Sequence, residues 1–320
     1  MKILVTGGAG YIGSHVVHEL NDRNHEIVIL DNFSSGRHEN VDKRAMVVEG
    51  DVRRREDLDK VLPGIDVVFH FAAWKAAGES MIKPQKFAEN NIVGSIQLLN
   101  AMLEHKVDKF VFSSSAAVYG NPEYLPIDEQ HPKNPTNYYG YTKLAIEENL
   151  AWYSRLKGLH YAALRYFNAT GYDIKERIRG QERNAANLSP IVMETASGAR
   201  KELQVYGDDY DTPDGTCIRD YIHVNDLADA HLKAMDYIIR ENKNLVVNLG
   251  TGSGHSVLDV IHAAEKVVGK SIPYKIVGRR SGDPAKLIAS SDLAYKLLAW
   301  KAQYSDLQTI FSSMRPVYFN

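Results

Sequence analysis

Three glycines recur at every third position near the start of the chain, in Gly7-Gly8-Ala9-Gly10-Tyr11-Ile12-Gly13. They follow a short run of β-formers at residues 3–6 and open a helical pattern from residue 11 to about residue 20. At such a junction the first glycine permits a tight turn. The second lets backbone approach a pyrophosphate, and the third lets helix pack on strand. A helix N-terminus then offers free N–H groups and a positive dipole to the phosphates. A ligand-free glycine turn is the bland alternative, but the position directly after the first strand favours a dinucleotide. Asp31 ends the next apolar run, where a carboxylate can accept from ribose hydroxyls and repel a 2′-phosphate, so the cofactor expected is NAD rather than NADP. Asp51 closes the third run and is either an adenine contact or an ordinary turn aspartate.

A second constellation lies in Tyr139-Gly140-Tyr141-Thr142-Lys143. On a helix, Tyr139 and Lys143 share a face. A nearby ammonium favours the phenolate, which makes Tyr139 a general base near neutral pH. Tyr138 and Tyr141 are close by, but only Tyr139 has lysine four residues on. Ser115 ends an intervening strand, and parallel sheets place ligands at the carboxyl ends of their strands.

These residues need a scaffold. Apolar runs at 3–6, 26–30, 46–48, 67–69, 110–112 and 161–165 alternate with helical patterns at 54–62, 87–104 and 141–156. Strands without polar alternation belong to a parallel sheet covered on both faces. The fold class expected is α/β: a Rossmann-type doubly wound parallel sheet with a smaller mixed α/β C-terminal substrate lobe. The expected division is 1–168 for NAD and 169–320 for the substrate, with segments near 219–250, including strands at 221–224 and 245–249, returning to the first sheet or its edge.

Composition bounds the rest. Lysine plus arginine is 38 and aspartate plus glutamate 40, a net charge of −2 over 320 residues. That balance offers no basic surface for nucleic acid. Cys217 is the single cysteine, so no internal disulfide can form and a cysteine-built zinc site lacks its ligands. No run approaches the ~18 apolar residues of a membrane span. No metal, no nucleic acid, no membrane and a cytoplasmic location are expected.

The glycines, Ser115 and Tyr139-x-x-x-Lys143 together resemble the extended short-chain dehydrogenase/reductases. Within them, the resemblance is to the branch that interconverts UDP-glucose and UDP-galactose at C4. It is carried by Leu30-Asp31-Asn32, His70-Phe71-Ala72-Ala73-Trp74-Lys75, Ser113-Ser114-Ser115-Ala116-Ala117-Val118-Tyr119-Gly120, Arg165-Tyr166-Phe167-Asn168, Arg219-Asp220-Tyr221-Ile222-His223-Val224 and Arg280-Ser281-Gly282-Asp283. It runs from residue 3 to about residue 310.

The resemblance implies catalytic roles for Tyr139, Lys143 and Ser115. It implies NAD contacts at Gly7, Gly10, Tyr11, Ile12, Gly13, Asp31, Asn32, Asp51, Val52, Phe71, Ala72, Ala73, Lys75, Asn90 and Phe167, with Tyr139 and Lys143. It implies UDP-hexose contacts at Ser115, Asn168, Asn187, Leu188, Gln204, Val205, Tyr206, Arg219, Arg280 and Asp283. A homodimer through the helices at 87–104 and 141–156 is expected on the same ground. The chain departs from relatives at Ala117, where many have threonine, and at Leu287, where they carry a larger or smaller gate for the sugar's 2-substituent. Its ending, Met314-Arg315-Pro316-Val317-Tyr318-Phe319-Asn320, lacks their longer aromatic, basic tail and leaves the last helix open. The other readings are epimerisation of UDP-N-acetylhexosamine or UDP-glucuronate and, more distantly, an NAD-binding regulator without catalysis.

Overall fold

Ile3, Leu4 and Val5 are all fully buried, which is why their run shows no alternation: helices cover both faces of the strand. A computed structural model describes residues 1–320 apart from Asn184, Ser281 and Asn320. The chain begins with strand β1 (Lys2–Thr6), helix α1 (Tyr11–Asp22), β2 (Glu26–Asp31), β3 (Met46–Glu49), α2 (Arg55–Val61) and β4 (Val67–His70). Next come α3 (Ala77–Ile82), α4 (Pro84–Phe87), a π turn (Ala88–Val93), α5 (Gly94–Glu104), β5 (Lys109–Ser115) and a 3₁₀ turn (Ala116–Val118). Helix α6 (Tyr138–Lys157), β6 (His160–Tyr166), β7 (Asn168–Thr170), α7 (Leu188–Ser197), β8 (Leu203–Tyr206), β9 (Ile218–His223), α8 (Val224–Glu241) and β10 (Leu245–Leu249) follow. The chain ends with β11 (Gly254–Ser256), α9 (Val257–Val268), β12 (Tyr274–Val277), β13 (Lys286–Leu287), α10 (Asp292–Leu298) and α11 (Leu307–Tyr318).

Seven strands form one parallel sheet in the order β10-β6-β5-β4-β1-β2-β3. The order reverses between β1 and β4, whose registers pair Ile3 with Val67 and Thr6 with His70. Ligands of open α/β sheets bind in the crevice above such a reversal. One core, with Val16, Leu20, Leu227 and Trp300, joins α1, α8 and the segment after α10 to one face. The other, with Leu58, Leu99, Met102 and Leu150, joins α2, α5 and α6 to the opposite face. A separate core of Val192, Tyr221, Ile261 and Phe311 packs α7, α9 and α11 around β9.

The sheets divide the chain differently from the sequence expectation. Of the two returning strands, only the later one, β10, reaches the first sheet, where Leu245 pairs with Ala162. The earlier one, β9, pairs instead in parallel with β7, Asn168 against Tyr221, and antiparallel with β11. The chain leaves β6 and enters β7 across Phe167, so β7 supplies the edge that captures β9. Conversely, α10 and Trp300 lie outside the second lobe and pack on the first core, with Trp300 Nε1 donating to the Asp226 carbonyl at 3.0 Å. The helix expected over 87–104 is interrupted by the π turn. The final helix does form: Asp306 caps it by accepting from the Thr309 N–H at 2.9 Å, and Ile310, Phe311 and Met314 are buried.

Among the described residues, no helix is long and apolar enough to cross a membrane, and no cluster of histidine, cysteine or carboxylate side chains is arranged for a metal ion.

Candidate active site

The glycine loop is shaped by what a side chain would strike. Gly7 has φ of +73°, and a Cβ there would lie 2.6 Å from the amide nitrogen of Ala72. A Cβ on Gly13 would overlap the carbonyl oxygen of Gly7. Gly10 caps the N-terminus of α1 in extended conformation, its amide donating to the Gly7 carbonyl at 3.1 Å. Gly7 and Gly10 thus line a cleft together with Asp31, Asn32, Val52, Phe71, Ala72, Ala73 and Asn90. A bare backbone cradle, a helix N-terminus and a carboxylate at the end of β2 fit a dinucleotide.

Asp31 is already engaged: it accepts from the Ala9 N–H at 2.9 Å and the Phe33 N–H at 2.8 Å. Burial raises its pKa, and those two amides oppose the rise. Asp51 is more heavily committed. It accepts from Arg53 Nε at 2.9 Å and Asn32 Nδ2 at 3.1 Å, and the Arg53 guanidinium holds it well below the usual carboxylate range. Asp51 lines a neighbouring cleft with Asn32, Glu49 and Arg54. Tyr11 spends its hydroxyl on the Gly171 carbonyl, at 2.5 Å, and packs edge-on against His15 and Tyr172. Ile12 packs against the first core and Phe167 into a small cluster with Ala116, Val118 and Leu287. Lys75 forms an ion pair with Glu182.

The three residues expected to be catalytic are brought together by β5 and α6. Strand β5 runs three residues beyond the expected 110–112, so Ser115 stands at its carboxyl end, accepting from the Ala117 N–H at 3.2 Å. Helix α6 starts three residues earlier than expected, capped by Asn137, which accepts from the Gly140 N–H at 2.9 Å. That places Tyr139 in its first turn. Gly140 lets the turn after Ser115 lie against this helix, since a Cβ there would overlap the Ala117 carbonyl. Lys143, 2% exposed, donates to the Ser113 carbonyl at 2.6 Å, and its Nζ is 5.9 Å from the centroid of the Tyr139 ring.

The electrostatics differ from the spacing argument. Burial pushes the Tyr139 phenol up, against the pull of the Ser115 hydroxyl, so the lysine does not dominate it. Burial also pulls Lys143 down to about 7, against the raising charge of Glu147. Both shifts have the same cause, burial, and both favour the uncharged form, the protonated phenol and the neutral amine.

A second group gathers on the other lobe. Asp283 sits between two arginines, accepting from Arg280 Nε at 2.9 Å and lying 3.7 Å from Arg219. Arg280 also lies 5.4 Å from the Tyr206 ring centroid, and Tyr206 donates to Gln204 at 2.9 Å. Between these two on β8, Val205 turns inward into the core and offers no side chain to their face. Asn168 donates to the Asp220 carbonyl at 2.9 Å, and Asn187 and Leu188 form the N-terminus of α7. Ser281 lies outside the described residues.

Four further residues hold this arrangement and have no motif of their own. Ser80 accepts the Tyr139 N–H at 3.0 Å. In the π turn, Asn91 bonds both the N–H and the carbonyl of Trp74 at 2.9 Å, and donates to Thr142 at 3.2 Å, tying the loop after β4 to α6. Glu182 reaches Lys75 from the segment between β7 and α7. Glu147, eight residues after Tyr139, is the one a helical-face reading of α6 would have found.

A doubly wound sheet with a dinucleotide cradle and a Tyr-Lys-Ser group at its carboxyl edge defines a nucleotide-dependent enzyme of the short-chain dehydrogenase/reductase type. The chain belongs to the NAD dependent epimerase/dehydratase family, whose model matches residues 3–250. It is similar to the UDP-glucose 4-epimerase of Halalkalibacterium halodurans, with 47% identity over 312 residues, 97% of this chain and 93% of that one. Among solved structures, UDP-glucose 4-epimerase from Brucella ovis in complex with NAD superposes with a TM-score of 0.95, at 43% identity, over 99% of this chain and 98% of that one. The UDP-glucose 4-epimerase from Bifidobacterium longum in complex with NAD⁺ and UDP superposes with a TM-score of 0.92, at 41% identity, over the whole of both chains.

Proposed function

We propose that this protein is an NAD-dependent isomerase that interconverts UDP-glucose and UDP-galactose. The observation that carries the reading is the convergence of Tyr139, Lys143 and Ser115 at the carboxyl edge of the sheet holding the glycine cradle. Full-length similarity to named UDP-glucose 4-epimerases supports it. The first sheet would hold NAD, through the cleft residues, Lys75 and the helix N-terminus. The second lobe would hold the UDP-sugar, with Arg219 and Arg280 as planar, permanently charged donors to its diphosphate.

In this reading Tyr139 removes the proton of the sugar 4-hydroxyl, and Ser115 bonds the same oxygen. Lys143 lends positive charge and orients a ribose. NAD⁺, when bound, supplies the hydride acceptor, a positive charge that favours the phenolate and, once reduced, the returning hydride. Tyr139 then gives its proton back after the 4-keto sugar has turned over, so the protein's groups end as they began. The pocket must therefore grip the nucleotide and leave the sugar free to rotate.

The finer assignments are a homodimer, a place in galactose metabolism and a cytoplasmic location. For the dimer the support is the outer face of α6. Tyr141, Trp152 and Leu156 lie within about 60° of one another around it and are 49%, 55% and 66% exposed. For the location it is the absence of any disulfide framework. The decisive test incubates the purified protein separately with UDP-glucose, UDP-galactose, UDP-N-acetylglucosamine and UDP-glucuronate and resolves the products. Equilibration of the first two is expected; turnover of UDP-glucuronate alone would overturn the reading.

A further inference from the structure

The buried side of α6 carries a charge network that the reaction above does not use. Tyr139, Lys143 and Glu147 stand one turn apart on one helix face. The Glu147 carboxylate accepts from the Ser114 hydroxyl at 2.5 Å and from Arg165 through Nε at 2.9 Å and Nη2 at 2.5 Å. Arg165 also donates to the Tyr119 hydroxyl at 2.8 Å, which donates in turn to Asn248 at 2.6 Å. Glu147 is 6% exposed and Arg165 3%. A buried ion pair is costly to desolvate and is weak evidence for stability by itself. Its placement here is what needs explaining. Lys143 grips the carbonyl of Ser113, Glu147 grips the side chain of Ser114, and the next residue is Ser115.

We propose that Glu147, with Arg165 as its counter-charge, is a positioning residue for the Tyr139–Lys143 pair, keeping Lys143 charged and α6 in register with Ser115. The inference rests on the reading of Tyr139 and Lys143 as the acid–base pair. Facing the lysine are His70 on β4, the Ser113 carbonyl and the Phe112 ring on β5, and Tyr139 and Glu147 on its own helix; Arg165 on β6 and Tyr119 after β5 lie behind Glu147 in the network, and Tyr166 on β6 bonds the Ser113 hydroxyl. Glu129 lies farther off, beyond Asn248. His70 is neutral, held by Thr6 and Ser95. Burial lowers Lys143 to about 7, and the charge that opposes burial is that of Glu147.

The test is the pH dependence of kcat at saturating NAD and UDP-galactose. Charged Lys143 is the active form, so activity falls as pH rises through its pKa. Glu147→Gln removes the anion and leaves Arg165 uncompensated, so the alkaline limb moves down by about 1 pH unit. Ser114→Ala keeps the charge and loses one bond, so its limb stays at the wild-type position even if the melting temperature drops. Should Glu147→Gln not fold, the double variant Glu147→Gln, Arg165→Met removes both charges, and its limb moves down by less. Limbs that coincide with wild type in whichever variant folds would overturn the inference. Tyr139→Phe separates the two levels. If it keeps wild-type activity, the reading of the site fails. If it is inactive while the limbs coincide, only the role of Glu147 fails.

Discussion

The Lys143 ammonium donates to the main-chain carbonyl of Ser113 at 2.6 Å, tying the helix that carries Tyr139 to the strand that ends in Ser115. An ammonium has three donors, and this bond uses one, which leaves two for a ribose. The lysine is therefore aimed by the sheet rather than by its own flexible stem.

Tyr139→Phe removes the proposed proton acceptor and keeps the ring at the start of α6. General acid–base contributions run to about 10²–10⁴-fold, so kcat should fall by that much with little change in KM. Steady-state kinetics with UDP-galactose checks this, and an unchanged kcat would strip Tyr139 of its role.

Gly13→Ala and Gly10→Ala should differ. At Gly13 the new Cβ overlaps the Gly7 carbonyl, whereas at Gly10 the nearest atom is 3.1 Å away. Helix α1 must shift in the first variant and barely in the second. The amount of NAD released per protein on denaturation should be near zero for Gly13→Ala and partly retained for Gly10→Ala. Equal retention would count against the cradle.

Arg219 donates to the carbonyls of Ile218 at 2.9 Å and Pro284 at 2.8 Å, which fix its guanidinium beside Asp283. Hydrogen bonds to charged groups contribute about 1.5–3 kcal/mol. Arg219→Gln should therefore raise KM for the UDP-sugar by about 10–100-fold, with a smaller effect on kcat. Arg219→Lys restores charge but not the fork and should recover only part of the loss. UDP inhibition constants measured in parallel should rise in step.

His70 is buried, bonded to Thr6 at 2.6 Å and Ser95 at 2.8 Å. Burial, with a smaller push from the Lys143 charge, lowers its pKa to about 3. The folded value lies below the unfolded value of about 6.5. Its contribution to stability is thus complete above that pH and is lost as pH falls toward 3. Each such histidine adds a slope of about 1.4 kcal/mol per pH unit within the window. Burial places His15, His223 and His231 in the same position, at about 4, 3 and 4. Urea unfolding between pH 7 and 4 should show His70→Asn with a shallower decline than wild type. Parallel declines would mean that His70 is not held neutral.

Much of the scaffold was legible because it follows from local pattern. Continuous apolar runs marked six of the seven strands of the first sheet directly, and β10 was marked as a returning strand. The run at 221–224 was misplaced because an apolar strand carries no label for its partner, and β7, the partner of β9, is only three residues long. Tyr139, Lys143 and Ser115 were singled out by type and spacing, and β5 and α6 bring them to one edge of the sheet. Val205 was not separable from Gln204 and Tyr206, since alternation on β8 becomes visible only once one face has a core to meet.

Local chemistry alone determines that three glycines open a helix, that Tyr139 and Lys143 share a face and that Asp31 ends a strand, because each depends on residues a turn or a strand apart. Tertiary structure decided the partners: Ser113 for Lys143, Arg165 for Glu147, Glu182 for Lys75, Trp74 for Asn91. These pairs bring together segments distant in the chain. They depend on which strands lie side by side and on how deeply each charge is buried, and neither is written in the spacing of neighbouring residues.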